Sequence, residues 1–162
     1  MLEHGEIDLL ITPDVFVTEE HPSALLFEDK YVVAAWKDGK YGNVTMDKAT
    51  YEAASHAIMS LPNAAKSGET YMLAKHGVTR RVDVQSYSFS TLPHLITGTD
   101  RVATIHASLA RVQAAANELV IYPMPIDLSP LRMMVQWHAY RDNDHGIIWL
   151  RDLLKNAASQ IR

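Results

Sequence analysis

Two strand signals, each followed at once by a helix signal, restrict the fold of this chain more than any other feature of its sequence. The first strand signal is Arg81-Val82-Asp83-Val84-Gln85, where apolar and polar residues alternate with the two-residue period of a strand. Ser90 or Thr91 can cap the helix that follows, and Pro93 suits its first turn, where no intrahelical N–H is needed. Gly98 then suits the left-handed end of that helix.

The second strand signal is the apolar run Val102-Ala103-Thr104-Ile105, and a helix signal begins at His106. The two strand-to-helix turns, 86–91 and 104–108, therefore follow strand ends that lie a short distance apart. Because ligands in open α/β sheets bind outside the carboxyl ends of the strands, we predict that these turns form half of a small-molecule site.

Three segments carry a family resemblance. The segment from Thr91 to His106 resembles the corresponding part of LysR-type transcriptional regulators, and within that family the NodD-like branch. The opening Gly5-Glu6-Ile7-Asp8-Leu9-Leu10-Ile11 is similar to the G-x-I-D-L-x-I strand of the family. Leu26-Phe27-Glu28-Asp29-Lys30-Tyr31-Val32-Val33 is similar to the strand by which the family crosses between subdomains. The order and spacing of the three agree, so the resemblance extends over nearly the whole chain.

The resemblance implies an α/β, type II periplasmic-binding-protein-like fold, with two Rossmann-like subdomains joined by crossing strands. We expect residues 1–36 and 131–162 to form a partial first subdomain with the hinge strands, and residues 37–130 to form the second. Trp36 and Trp137 fall in the two expected crossing strands, where hinge packing is the simpler role for them. The family places further elements, and a winged helix-turn-helix, before the G-x-I-D-L strand. We therefore expect an N-terminally truncated chain whose first subdomain is incomplete.

Composition and motifs exclude several functions. The net charge of −4 argues against direct contact with a phosphate backbone, and the absence of cysteine excludes disulfides and thiolate metal sites. No apolar run reaches the length of a membrane span, and the polar, acidic N-terminus is no signal peptide. The residues show no paired acid and base, metal-ligand spacing or nucleotide fingerprint. We therefore expect a cytoplasmic chain that is not an enzyme and needs no cofactor or metal.

Polar and aromatic residues after the predicted strand ends are the candidate effector contacts. A polar turn at a helix start offers both hydroxyl and N–H groups to a carboxylate or hydroxyl. The predicted effector-binding residues are Thr12, Pro13, Ser60, Leu61, Ser86, Tyr87, Ser88, Phe89, Thr104 and His106. Each set has an alternative role. The serines could serve only to satisfy the turn and the helix cap. Tyr87 and Phe89 could belong partly to the core.

The resemblance implies a ligand-sensing, oligomerising effector-binding domain of a bacterial transcriptional regulator. Its effector would bind in the cleft between the subdomains, and the NodD-like likeness suggests an aromatic or phenolic inducer. We expect a homodimer or tetramer, with helix Thr91–Thr97 and strand Arg101–Ile105 as candidates for the dimer contact. DNA would be bound only through the winged helix-turn-helix, which this sequence does not contain. The alternative is a transport-type solute-binding module of the same fold, which the missing signal peptide disfavours.

An incomplete first subdomain predicts self-association or low stability. A sheet that lacks strands exposes a hydrogen-bonding edge and an apolar face, and both promote association. Sedimentation velocity of the purified chain should therefore show oligomers, or thermal unfolding should begin at an unusually low temperature. A monodisperse monomer with ordinary melting would contradict this expectation.

Overall fold

The computed structural model describes residues 2–61 and 67–160 as an α/β chain of two compact units. The first unit is formed by Met1–Asp29 and Pro130–Arg162, and the second by Lys30–Ser129. The strands are β1 (Leu9–Pro13), β2 (Ser23–Asp29), β3 (Tyr31–Trp36), β4 (Ser55–Met59), β5 (Arg81–Ser86), β6 (Arg101–His106), β7 (Leu119–Pro123) and β8 (Leu131–Trp137). The helices are α1 (Lys48–Ala53), α2 (Gly68–Lys75), α3 (Leu92–Ile96), α4 (Ala107–Gln113) and α5 (His145–Ala158). No helix in the described ranges combines the length and apolar character needed to cross a membrane.

The second unit is organised around a five-stranded sheet in the order β5-β4-β6-β3-β7. Strand β4 is parallel to β5 and to β6, whereas β3 is antiparallel to both β6 and β7. One apolar cluster packs around Tyr51 and Leu73, and another packs around Leu92 and Ile105. Strand β6 is covered by both clusters, which is why its sequence is a continuous run of buried residues.

The helix boundaries follow from capping and glycine. The Ser67 hydroxyl accepts a hydrogen bond from the Thr70 N–H at the start of α2, and Gly77 (φ +67°) follows its end. Gly98 also has a positive φ (+71°), as predicted for the end of α3. Helix α1 is capped by Asp47, whose carboxylate accepts a hydrogen bond from the N–H of Thr50, although Thr45 is also a cap candidate by residue type.

Several sequence predictions differ from the structure in detail. The predicted cap region before α3 forms a short 3-10 turn, Phe89–Thr91, at whose start Ser88 accepts from the Ser90 N–H. The alanine-rich sequence from Ala107 to Asn117 predicts a longer helix than the structure has, because α4 ends at Gln113. The sequence Pro62-Asn63-Ala64 predicts a turn after β4, and this segment lies outside the described residues.

The prediction that strand Arg101–Ile105 takes part in the dimer contact is wrong. Strand β6 lies in the middle of its sheet, between β4 and β3, and Val102–Ile105 are buried within the chain itself. Helix α3 exposes little more than His94, since Leu92, Pro93 and Ile96 are buried. A second copy of the chain therefore has no access to the side chains from Val102 to Ile105.

The first unit contains a three-stranded antiparallel sheet in the order β1-β8-β2. Helix α5 covers one face of the sheet through Ile147, which packs with Val135 and Trp137. The outer edges of β1 and β2 carry no further strand among the described residues, and Ile11 and Phe16 are about half exposed. These features are the edge and the apolar surface on which the predicted self-association depends.

The chain passes between the units at Lys30 and again at Pro130. We expected the first crossing just before Lys37. It falls earlier because β3 pairs along its length with β6 and β7, which makes Trp36 part of the second unit. Trp137 belongs to the first unit, where its indole N–H donates to Asp142 at 2.9 Å. The segment 37–43 is a tight loop in which a Cβ on Gly42 would lie 1.8 Å from the Lys37 carbonyl oxygen.

A buried histidine makes the stability of the second unit sensitive to acid. His56 lies on β4 with no exposed surface, and its Nε2 is 2.8 Å from the Tyr51 carbonyl oxygen. Burial lowers the pKa of His56 from 6.5 to about 4, although the bond to the Tyr51 carbonyl opposes this shift.

We predict that His56→Gln flattens part of the stability profile between pH 6.5 and pH 4. The unfolded chain takes up a proton at this histidine below pH 6.5, whereas the folded chain does so only near pH 4. The stability that depends on neutral His56 is therefore complete above pH 6.5 and falls by up to about 3 kcal/mol as the pH drops to 4. Urea unfolding at several pH values would measure this difference. His94→Gln, at an exposed histidine, is the control and should keep the wild-type profile.

Candidate functional site

The carboxyl ends of β5, β4 and β6 meet at one edge of the sheet of the second unit, because these strands are parallel. The Ser60 N–H donates to the Ser86 carbonyl at 2.9 Å, so the pairing of β4 with β5 continues one step beyond β4. This carboxyl edge brings together the predicted residues Ser60, Leu61, Ser86, Tyr87, Ser88, Phe89 and His106. The edge is where the switch from strands to helices exposes backbone and side-chain groups to a ligand.

The serines of the turn after β5 hold one another in a chain of hydroxyl contacts. Ser86 Oγ contacts Thr91 Oγ1 and accepts from the Ser88 N–H at 3.3 Å. Ser88 Oγ lies 2.7 Å from Ser90 Oγ, and the Thr91 hydroxyl donates to the Ser88 carbonyl at 2.8 Å. The hydroxyls therefore satisfy the turn, which is the alternative role expected for these serines from the sequence. Because a hydroxyl offers one donor and two acceptor lone pairs, acceptor capacity remains for a ligand.

Three aromatic rings form a row beside these hydroxyls. The Phe89 and His106 ring centroids are 4.5 Å apart, and the His106 and Tyr31 centroids are 5.1 Å apart. Phe89 is half-buried against the second apolar cluster, whereas Tyr87 is 77 % exposed and is not a core residue. His106 occupies the N-cap position of α4, and its ring contacts both of the others. The rings are tilted by 45° and 52° to one another, and Tyr31 is buried, so Phe89 and His106 carry the ring surface that lies next to the polar groups. Apolar rings beside a few polar groups are the common composition of a ligand pocket.

Tyr31 is a residue of this edge that the sequence reasoning missed. Strand β3 is antiparallel to β6, so its first residue lies opposite His106, at the carboxyl end of β6. The direction of β3 in the sheet is a tertiary property that the sequence pattern does not show.

Thr104 does not point to the carboxyl edge as a ligand contact would. Its side chain is 2 % exposed, and its Oγ1 lies 2.7 Å from the hydroxyl of Tyr51 on α1. Thr104 lies two residues inside the end of β6, where the sheet is covered by α1 and the first apolar cluster. We assign it to the core.

Thr12 and Pro13 belong to the first unit, at the end of β1. Thr12 lies opposite Met134 and Pro13 opposite Met133 in the antiparallel pairing of β1 with β8. Their contribution to effector binding stays a prediction. In the described parts of the chain, no group of three or more His, Cys, Asp or Glu side chains is close enough to hold a metal ion.

Thr104→Val should destabilise the fold without weakening effector binding. The variant removes the 2.7 Å contact of the buried Tyr51 hydroxyl with Thr104 and leaves that hydroxyl with Arg80 as a further partner, so the loss should be about 1 kcal/mol. Tyr51→Phe should cost a similar amount, and the double variant should lose less than the sum, because both polar partners are then replaced. Chemical unfolding of the four proteins measures the cycle. Additive losses would show that the two hydroxyls are not coupled.

Comparison with known proteins gives this arrangement a family. The model of the LysR substrate binding domain matches residues 1–159. Nodulation protein D 2 of Rhizobium tropici is 33 % identical over 160 residues, which are 98 % of this chain and 51 % of that protein. Nodulation protein D 1 of Rhizobium meliloti is 33 % identical over 164 residues, covering 99 % of this chain and 53 % of that protein. The chain thus spans about half the length of these relatives.

Solved structures agree with the family match. The crystal structure of a probable transcriptional regulator from Pseudomonas aeruginosa superposes with a TM-score of 0.85 at 28 % identity, covering 96 % of this chain and 51 % of that one. The regulatory domain of MexT, a transcriptional activator of the same organism, superposes with a TM-score of 0.78 at 24 % identity over 95 % of this chain and 74 % of that one. The chain therefore belongs to the LysR substrate-binding domain family and has its type II periplasmic-binding-protein-like fold.

Proposed function

We propose that this chain is the effector-sensing domain of a LysR-type transcriptional regulator and that it binds a small aromatic or phenolic effector. The family match and the regulators among its relatives support the sensing role. The observation that carries the ligand class is the row of rings at the carboxyl edge, where Phe89 and His106 lie beside the serine hydroxyls.

An aromatic ring and its hydroxyl groups are complementary to the two parts of this edge. The half-buried ring of Phe89 can stack in an offset or edge-to-face arrangement with a ligand ring. The linked hydroxyls of Ser88 and Ser90 can accept a hydrogen bond from a phenolic O–H. Tyr87, which is largely exposed, can cover the ligand from the solvent side.

Effector binding would be read out through assembly. A ligand shifts a regulator between states only by its different affinity for those states. We infer that the chain acts in the cytoplasm, as a dimer or tetramer, and that DNA is contacted by a winged helix-turn-helix in the longer protein. We assign no catalytic step to it, since the carboxyl edge presents hydroxyl and aromatic groups rather than a paired acid and base.

Phe89→Ala should weaken the binding of phenolic compounds by roughly tenfold, through lost ring contact and buried area. Isothermal titration with phenol, 4-hydroxybenzoate and 4-hydroxycinnamate would compare it with the wild type. Val112→Ala, which removes an exposed apolar side chain from α4, is the matched control and should bind like the wild type. Equal affinity of the Phe89 variant would remove Phe89 from the site.

A further inference from the structure

The amino ends of β4, β5 and β6 form a second edge of the same sheet, with a charged cavity. Strand pairing places Ser55 opposite Arg81 on one side and opposite Arg101 on the other. The cavity has a volume of about 370 Å³, within the range of small-molecule sites. It is lined by Ser55, Arg81, Asp83, Thr99, Asp100 and Arg101.

Two arginines make the basic part of this cavity. Arg81 contacts the Ser55 hydroxyl, and its Nε is 3.6 Å from Asp83 Oδ1. Arg101 Nε is 3.7 Å from Asp83 Oδ2, and it is enclosed without a hydrogen-bond acceptor in the described part of the chain. Both ion-pair distances exceed normal hydrogen-bond lengths. The two guanidinium groups therefore share one carboxylate and keep N–H donors for another acceptor.

Two aspartates make the acidic part. Asp83 is two-thirds buried and lies between the arginines, whereas Asp100 Oδ1 accepts from the Lys40 N–H at 2.9 Å. An ionised carboxylate has about four lone-pair positions, so neither aspartate is saturated by these contacts. The four charged side chains of the lining carry equal numbers of positive and negative charges.

We propose that this amino-edge cavity binds a small zwitterion, such as an α-amino acid. The ligand carboxylate would accept from the guanidinium groups of Arg81 and Arg101, which suit bidentate recognition of carboxylates. The ligand ammonium would donate to the carboxylates of Asp83 and Asp100. A simple anion would face the two aspartates, and a simple cation would face the two arginines, so each would be repelled by half of the lining.

The proposal is tested by titrating the 162-residue chain with zwitterions and with their separate halves. Glycine and L-alanine are the zwitterions, and acetate and methylammonium are the halves. NMR shift titration should show saturable binding of the zwitterions with changes at the amino ends of β4–β6. The halves should bind at least tenfold more weakly. No binding of the amino acids, or equal binding of acetate, overturns the proposal.

Charge-removing variants separate a zwitterion site from an anion site. Arg101→Gln and Asp83→Asn should each weaken amino-acid binding by about tenfold, because each removes a charge-assisted contact. Arg81→Gln removes the other positive charge of the cavity. The Arg81 side chain is 70 % exposed, so this substitution should affect folding least. If Asp83→Asn bound amino acids more tightly than the wild type, the cavity would be an anion site and the proposal of a zwitterion site would be refuted.

Two controls show whether binding belongs to this cavity. Arg132→Gln removes an arginine that also pairs with carboxylates, those of Asp14 and Glu28, but in the first unit. Val112→Ala removes an exposed apolar side chain of α4 that does not line the cavity. Both should bind amino acids like the wild type, and a loss in either would refute the assignment to the amino edge.

Discussion

The hydrogen-bond ladder of β6 is the interaction on which the second unit depends. Strand β6 pairs in parallel with β4 and antiparallel with β3, and its residues from Val102 to Ile105 are buried on both faces. This central position aligns the carboxyl ends of β4, β5 and β6 with the amino end of β3. Without that alignment, Phe89, His106 and Tyr31 would not stand in one row.

The same ladder gives the sheet two edges with different chemistry. At the carboxyl edge, the linked hydroxyls of Ser88 and Ser90 follow β5, and the rings of Phe89 and His106 contact each other. At the amino edge, Arg81, Asp83 and Arg101 surround a cavity with balanced charge. Between the edges, the Tyr51–Thr104 pair and the Nε2 of His56 have partners within the core, whereas the buried Nδ1 of His56 has none in the described part of the chain.

Local patterns predicted the elements better than they predicted side-chain roles. The alternation of Arg81–Gln85, the apolar run Val102–Ile105 and the positive φ of Gly98 were all readable from the sequence, because each is dictated by neighbours along the chain. Thr104 was misjudged because the sequence does not show that α1 packs over this part of β6, where the Tyr51 hydroxyl contacts the Thr104 hydroxyl. The boundary at Lys30 and the central place of β6 were likewise not readable, since both depend on which strands pair.

The sequence by itself determined that this chain is an α/β member of the LysR substrate-binding family, with a polar turn after β5 and a net charge that disfavours direct DNA contact. Capping residues, glycine conformations and apolar periodicity depend only on residues close together in the chain, so they can be predicted from the sequence. Only the tertiary structure decided that Tyr31 joins Phe89 and His106, and that Arg81 and Arg101 flank Ser55. Those juxtapositions join residues that are distant in the sequence, and strand pairing alone brings them together.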